Sequence, residues 1–425
     1  MLGTSLMVHA GRLLVGTGEV IDDAAMLVRD GRIAAVGKHT EMANSNDATV
    51  LDAGEQTVMP GIIDCHTHLG GTSSADYQTW VLEDDRQQAM LSTQQMRILM
   101  THGVTTIRDI SRNGLKLKWL VANGHLDGPR IVACGPGLSR TGGHGDAHNL
   151  PCDMIQRSHP WGMLADGPEE LRKAVRLLNR MGADAVKIWA TGGGMWDKEL
   201  ETDQHYDLDE LTMVVREAAM VNMPVLAHAE SLAAAKDCLR AGVATLEHGE
   251  ELDDECRDMM LDQGVIHVPT LQLLLGPWFD AYPPPPREGL ESYRGETLVE
   301  KEKNRVADNF AASVKAGITI AVGSDSFSTT LVPYGKTTLA EVHSLAQNGL
   351  SNSEAIVAGT LNGAKALRVE HETGSLEVGK CADFLVVDGD PLTTITDLVY
   401  ERINLIQRGE RILRDDRKTV RRESR

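Results

Sequence analysis

The stretch "ADAVKIWATGGG", residues 183–194, reads as a buried parallel strand running into a glycine turn. A strand apolar on both faces belongs in a parallel sheet covered on both sides. Yet Lys187 sits in its middle, between Val186 and Ile188. An ammonium group there is costly to bury unless it is paired, neutralised or placed near a metal. The fold must therefore supply both a parallel sheet and a partner for Lys187.

Outward from this stretch, strands and helices alternate. Candidate strands are 61–66, 104–110, 130–135, 185–190, 225–230, 245–250, 266–271 and 319–325. "DGPEELRKAVRLLNRMG" is the clearest helix between them. Asp166 stands near its N-cap, Pro168 in its first turn, and Gly182 ends it. Leu171, Val175, Leu178 and Met181 form its apolar stripe. Asp207 and Glu210 have capping-box spacing. Eight strands with helical crossovers predict an α/β fold, specifically a (β/α)8 TIM barrel, over residues 61–368. No glycine-rich dinucleotide fingerprint follows the first strand, which argues against a doubly wound sheet.

The ends of the chain differ from its middle. Residues 1–60 are short β-like runs, with Asp30-Gly31 marking a tight hairpin. Residues 369–413 resume that character, so both termini are expected to build one small β-sandwich domain. Residues 414–425 carry six basic and three acidic side chains and read as a frayed, solvated tail.

The net charge of −19 excludes a nucleic-acid-binding surface. Six cysteines are scattered without a CxxC pair, a pattern of reduced thiols. No signal-peptide pattern opens the chain and no apolar run reaches membrane-spanning length, so a soluble cytoplasmic protein is expected.

In such barrels the chemistry lies where strands end at their C-terminal side. "DCHTHLG" ends the first strand. His66 and His68, two apart, project to one side of an extended chain. "VLAHAE" ends the fifth strand with His228, "TLEHGEE" the sixth with His248, and "VGSDS" the eighth with Asp325. Taken singly, each histidine could be a hydrogen-bonded core residue, and Asp325 could be a helix N-cap. Together they place imidazoles, a carboxylate and Lys187 at one barrel mouth, which is a metal-binding composition. The alternative for Lys187 is a structural ion pair with Asp184 or Asp325.

These residues, with "TVMPGIIDCHTHLG" and "TGSLEVGKCADFLVVDGDPL" (373–392), resemble the metal-dependent amidohydrolase superfamily over essentially the whole chain. "VKIWATGGG", "TGGHGD" (141–146) and "AHAES" resemble its imidazolonepropionase-related and Xaa-Pro dipeptidase branch. Several hydrolases of amide-type toxins and agrochemicals also resemble that branch. The resemblance implies two divalent ions, usually Zn2+. His66, His68 and Asp325 would hold one, His228 and His248 the other, and a carbamylated (N6-carboxylated) Lys187 would bridge them. It implies hydrolysis of an amide-type C–N bond by a metal-bridging hydroxide, with Asp325 as the catalytic acid–base. It also implies a homo-oligomer acting on a small molecule.

The loops after the strands should select that substrate. His144 matches a histidine that the resemblance places against the substrate carbonyl or carboxylate, and Arg140 suits a carboxylate through bidentate geometry. Trp196, Tyr206 and Trp278 are further candidate contacts, Trp278 within an aromatic, proline-stiffened stretch that reads either as a lid over an apolar substrate or as simple packing or an oligomer contact. Dipeptides, N-acyl amino acids and aryl amides are the leading substrate classes. Carbamates, thiocarbamates and ureas are the alternative. A mononuclear deaminase-type member and a non-catalytic scaffold are more distant readings, opposed by Lys187 and by the full ligand set.

Overall fold

The computed structural model describes residues 5–42, 47–72, 84–158, 161–196, 198–276, 296–409 and 411–415. The termini meet in one eight-stranded, mainly antiparallel sheet. Its order is Arg411–Asp415, Ile403–Arg408, Phe384–Val387, Thr57–Pro60, Ser5–Leu14, Val20–Arg29, Arg32–Lys38, with Thr49–Asp52 also paired to Ser5–Leu14. The C-terminal half joins the N-terminal half where Val386 faces Val58. Leu13, Met26, Ile33, Val58, Phe384 and Leu405 form this sheet's own apolar cluster. The Asp30-Gly31 hairpin is present: both residues have positive φ, 49° and 73°, as a two-residue primed turn requires. Arg414 and Asp415, expected in the tail, belong to the last strand; residues 416–425 lie outside the described residues.

The middle of the chain is parallel. Ile62–Thr72, Val104–Asp109 and Arg130–Ala133 pair in sequence order, as do Val186–Trp189, Val225–Ala229, Thr245–His248 and Ile266–Val268. Backbone bonds join these groups. Asp184 N donates to Ala133 O at 2.7 Å, and Ala321 N to His267 O at 2.9 Å. Cys65 N then donates to Val322 O at 2.8 Å, so the ladder returns to its first strand. Val186 and Ile188 pack into the main apolar cluster with Leu171, Val175, Leu178 and Val214 from the crossover helices. Lys187 points the other way, into the ring of strands.

Two strands depart from their expected form. The third breaks after Ala133, because Gly135 takes φ of 73° and Pro136 offers no N–H, and it resumes as Gly137–Ser139 beside Ile188. The eighth, 319–325, makes only an isolated bridge at Ile320 and single backbone bonds. A side chain at Gly323 would lie 2.4 Å from Val268 and 3.0 Å from the His66 Cβ, so only glycine lets this segment pass the site. The helix Gly167–Met181 and the Asp207–Glu210 capping box form as read. Asp166, however, spends its carboxylate on Thr141 N and Oγ1 and makes no side-chain cap bond. Among the described residues no helix is long and apolar enough to cross a membrane.

Candidate metal centre

Three donors converge at the mouth of the ring. His66 and His68 stand on the same side of their strand, with Nε2 atoms 3.2 Å apart. Asp325 Oδ1 lies 3.1 Å from His68 Nε2 and 3.5 Å from His66 Nε2. His68 Nδ1 donates to the Ile110 carbonyl at 3.1 Å, which a carbonyl permits only if Nδ1 carries the hydrogen. In the neutral ring Nε2 is then a bare lone pair facing another ring nitrogen and a carboxylate oxygen. Burial lowers His66 well below the usual imidazole range, helped by Lys187 and its neighbouring histidines. Burial pushes Asp325 up, but the hydrogen bond and charge of His68, with His248 and Lys187, outweigh it and hold the carboxyl at about 2. A divalent cation can take the place of the proton that His68 and Asp325 otherwise share, and would then meet two ring nitrogens and a carboxylate oxygen at once.

A second group stands beside the first. His228 Nε2 donates to the Gly192 carbonyl at 2.9 Å, leaving Nδ1 bare. His248 Nδ1 meets Thr270 Oγ1 at 2.7 Å, leaving Nε2 toward the site. Such partners on the far nitrogen are what orient a ligating histidine. The two rings stand edge to face with centroids 4.5 Å apart, and His248 is 5.4 Å from His66. His228, Glu230 and His248 offer donor atoms within 4.8 Å of one another, as do His66, His68 and Asp325. Glu230 is an addition that the sequence reading did not single out, although it follows His228 at the two-residue spacing already used for His66 and His68. Burial, with Glu250, Glu201 and Glu199 nearby, raises its carboxyl well above the usual range.

Backbone strain gathers at the same strand ends. His248, Thr270 and Asp325 all take left-handed φ, 64°, 50° and 51°. Non-glycine residues hold that conformation at a cost of order 1 kcal/mol or more, and sites are where it persists.

Lys187 is fully buried, and its charge acts on histidines of both groups. Its partner is neither of those weighed from the sequence. Asp184 is held by Lys118 at 2.5 Å and by Ala133 N at 2.8 Å. Lys187 Nζ instead meets Glu247 Oε2, and Arg108 meets Glu247 Oε1 at 2.8 Å. Burial outweighs the pull of Asp325 and brings the Lys187 ammonium down to about 7, so a neutral amine is accessible at neutral pH.

The expected substrate contacts divide. His144 stacks on His228 with centroids 4.8 Å apart, and its Nδ1 is held by Glu199 at 2.9 Å, so it flanks the second group. Arg140 stands in the same loop with a buried, unpartnered Nε. Its charge acts on His205, whose two ring nitrogens are buried without a partner. His205 was not singled out as a site residue. Trp196 Nε1 donates to the His144 carbonyl at 2.9 Å and packs on Ala147, Ile155 and Leu164, so it braces the loop. Tyr206 is a core residue: its hydroxyl donates to Ala165 O at 3.0 Å and its ring packs in the main cluster. Trp278 and the aromatic stretch around it lie outside the described residues. Gly192 and Gly193 belong to the glycine turn after the Lys187 strand. Side chains there would strike Leu200 O and the His144 ring at 2.2 and 2.4 Å, so what they admit is protein.

Paired histidine–carboxylate groups at the C-terminal ends of parallel strands define a hydrolase-type metal site in an α/β protein. The amidohydrolase family model matches residues 57–411, and the chain belongs to that family. It is a hydrolytic enzyme acting on carbon–nitrogen bonds. It is 29% identical over 412 residues to an ochratoxinase of Aspergillus niger, covering 92% of this chain and 82% of that one. A Xaa-Pro dipeptidase crystallised with methionine superimposes with a TM-score of 0.82 at 27% identity, over 96% of this chain and 99% of that one. A prolidase bound to N-methylphosphonate-L-proline gives 0.86 at 27% identity, over 97% and 100%.

Proposed function

We propose that the protein is a binuclear metal-dependent hydrolase of amide-type C–N bonds whose substrate carries a carboxylate, such as a dipeptide or an N-acyl amino acid. We read the ring of parallel strands, 61–368, as a (β/α)8 barrel and the sheet built from 1–60 and 369–413 as its β-sandwich companion. The observation that carries the reading is the pair of donor groups, with the buried Lys187 near enough to both that its charge acts on His66, His228 and His248. His66, His68 and Asp325 would hold one ion, and His228 and His248 the other. Lys187, carboxylated on Nζ by carbon dioxide, would help to hold both. Bound there, two divalent ions such as Zn2+ supply Lewis acidity and make a water acidic enough to be a nucleophile near neutral pH.

The chain's own groups do the rest. Asp325, ionised, takes a proton from the attacking water and passes it to the leaving nitrogen. His144 is oriented by Glu199 so that Nε2 can face the scissile carbonyl oxygen. Arg140 and His205 form a corner with unused donors, suited to a carboxylate. By relation to its family we also propose a cytoplasmic homo-oligomer acting on a small molecule.

One observation favours a second reading. Trp161 packs on His68 at 4.8 Å and on Phe327 at 5.8 Å, giving the first group an aromatic wall suited to an apolar acyl or aryl moiety. That wall would serve a carbamate, thiocarbamate, urea or aryl amide. A hydrolysis screen with the zinc-loaded enzyme separates the two. Dipeptides (Xaa-Pro included) and N-acyl amino acids should turn over, with KM raised about tenfold or more in Arg140→Gln. Turnover of uncharged carbamates or ureas alone would overturn the carboxylate reading.

A further inference from the structure

Against Lys187 lie two buried charges that the reaction as described does not use, Glu247 and Arg108. Glu247 and Lys187 are fully buried and Arg108 is 2% exposed. Arg108 is braced on the strand that carries His66: its Nε donates to the Cys65 carbonyl at 2.7 Å. Its other end grips Glu247 Oε1 at 2.8 Å. The second carboxylate oxygen, Oε2, faces Lys187 Nζ and lies 3.6 Å from His66 Nδ1. His66 Nδ1 is itself buried and has no hydrogen-bond partner.

The geometry points to Glu247 as a positioning residue shared by both ion sites. Held by Arg108, it accepts the Nδ1–H of His66 and the one N–H that remains on a carboxylated Lys187. This rests on the binuclear reading above. The chemistry is direct. A histidine that ligates through Nε2 carries its hydrogen on Nδ1, and a carboxylate on that hydrogen fixes the ring and raises its basicity. The 3.6 Å separation is beyond hydrogen-bond reach, because Oε2 is turned to Nζ. Starting from the ammonium, one proton leaves to free the Nζ lone pair, that pair joins the carbon of CO2, and a second proton leaves the nitrogen for solvent. Nitrogen is left with a single hydrogen and no positive charge. Oε2 then no longer faces a cation, and a shift of a few tenths of an ångström brings it onto His66 as well. Arg108 offsets the charge that would otherwise be stranded among a carbamate, Glu247 and Asp325.

The test uses the full-length enzyme with zinc and 13C-bicarbonate. Metal affinity is read by chelator competition and the carbamate by its 13C NMR signal. Glu247→Gln is expected to weaken zinc binding about 10–100-fold and to cut the carbamate signal by more than half. Glu247→Asp keeps the charge that Arg108 requires but withdraws Oε2 from both nitrogens. It should show the same losses, and it decides the matter if the glutamine variant does not fold. Wild-type zinc affinity and a full carbamate signal in the folded variant would overturn the inference, even if its melting temperature falls. A wild-type enzyme that lacks the carbamate signal or the second zinc would instead overturn the binuclear reading itself.

Discussion

The two donor groups are built differently. His66 and His68 come from one strand, Asp325 closes from the eighth, and their donor atoms already stand 3.1–3.5 Å apart. His228, Glu230 and His248 are looser. The carboxylate of Glu230 sits 3.6 Å from His228 Nε2, the nitrogen already committed to Gly192, rather than from the bare Nδ1. The first group is a preassembled chelate. The second has two well-oriented imidazoles and a carboxylate on the outer side, so it depends on a further ligand from within the ring. In the function proposed above, Lys187 is that ligand. The comparison teaches that the second ion should depend on Lys187 more than the first does.

Breaking the first group should have the largest effect. Asp325→Asn keeps the shape and removes the proton acceptor, and kcat should fall roughly 10²–10⁴-fold with little change in melting temperature. A kcat within threefold of wild type would remove Asp325 from the reaction. Glu230→Gln sharpens the contrast. If Glu230 only orients His228, zinc at the second site should weaken by no more than about tenfold while the first is untouched. Complete loss of one zinc per chain would make Glu230 a direct ligand.

The smallest effect concerns stability. Burial, with Arg140 and His144, lowers His205 from 6.5 to about 4. Its folded value is therefore depressed, and the unfolded chain binds the proton first as pH falls. Stability is lost from about 6.5 down to about 4, and His205→Asn should remove up to about 2 kcal/mol of that loss at pH 5. Denaturant unfolding of the metal-free protein at pH 5 and 7.5 reads this, and an unchanged pH slope would contradict it.

Much of the site was legible because ligand-type residues fell at strand ends, where parallel α/β folds collect their chemistry. Lys187 was legible because a charge stood inside an apolar strand. The same argument applies to Arg108 in "TTIRDI" and Glu247 in "TLEHGE", which carry buried charges in the same way. They are harder to read because each is the other's partner across 139 residues, so neither charge has a mate nearby in sequence. Glu230 escaped because its strand already had a histidine. Loop aromatics were the weakest signal. Tyr206 looks like a substrate contact in sequence, but a core carbonyl, Ala165 O, claims its hydroxyl. The break in the third strand was written in Gly135-Pro136, while its resumption at Gly137 depends on pairing with Ile188, which is tertiary information.

The central claim is that Lys187, carboxylated, joins two ions. The most direct measurement is the zinc content of Lys187→Ala against wild type, without and with a short carboxylic acid such as propionate. The account predicts two zinc ions per chain in wild type, one or none in the variant with activity lost, and partial return of both when the acid replaces the missing carbamate. Two zinc ions and full activity in Lys187→Ala without added acid would contradict it.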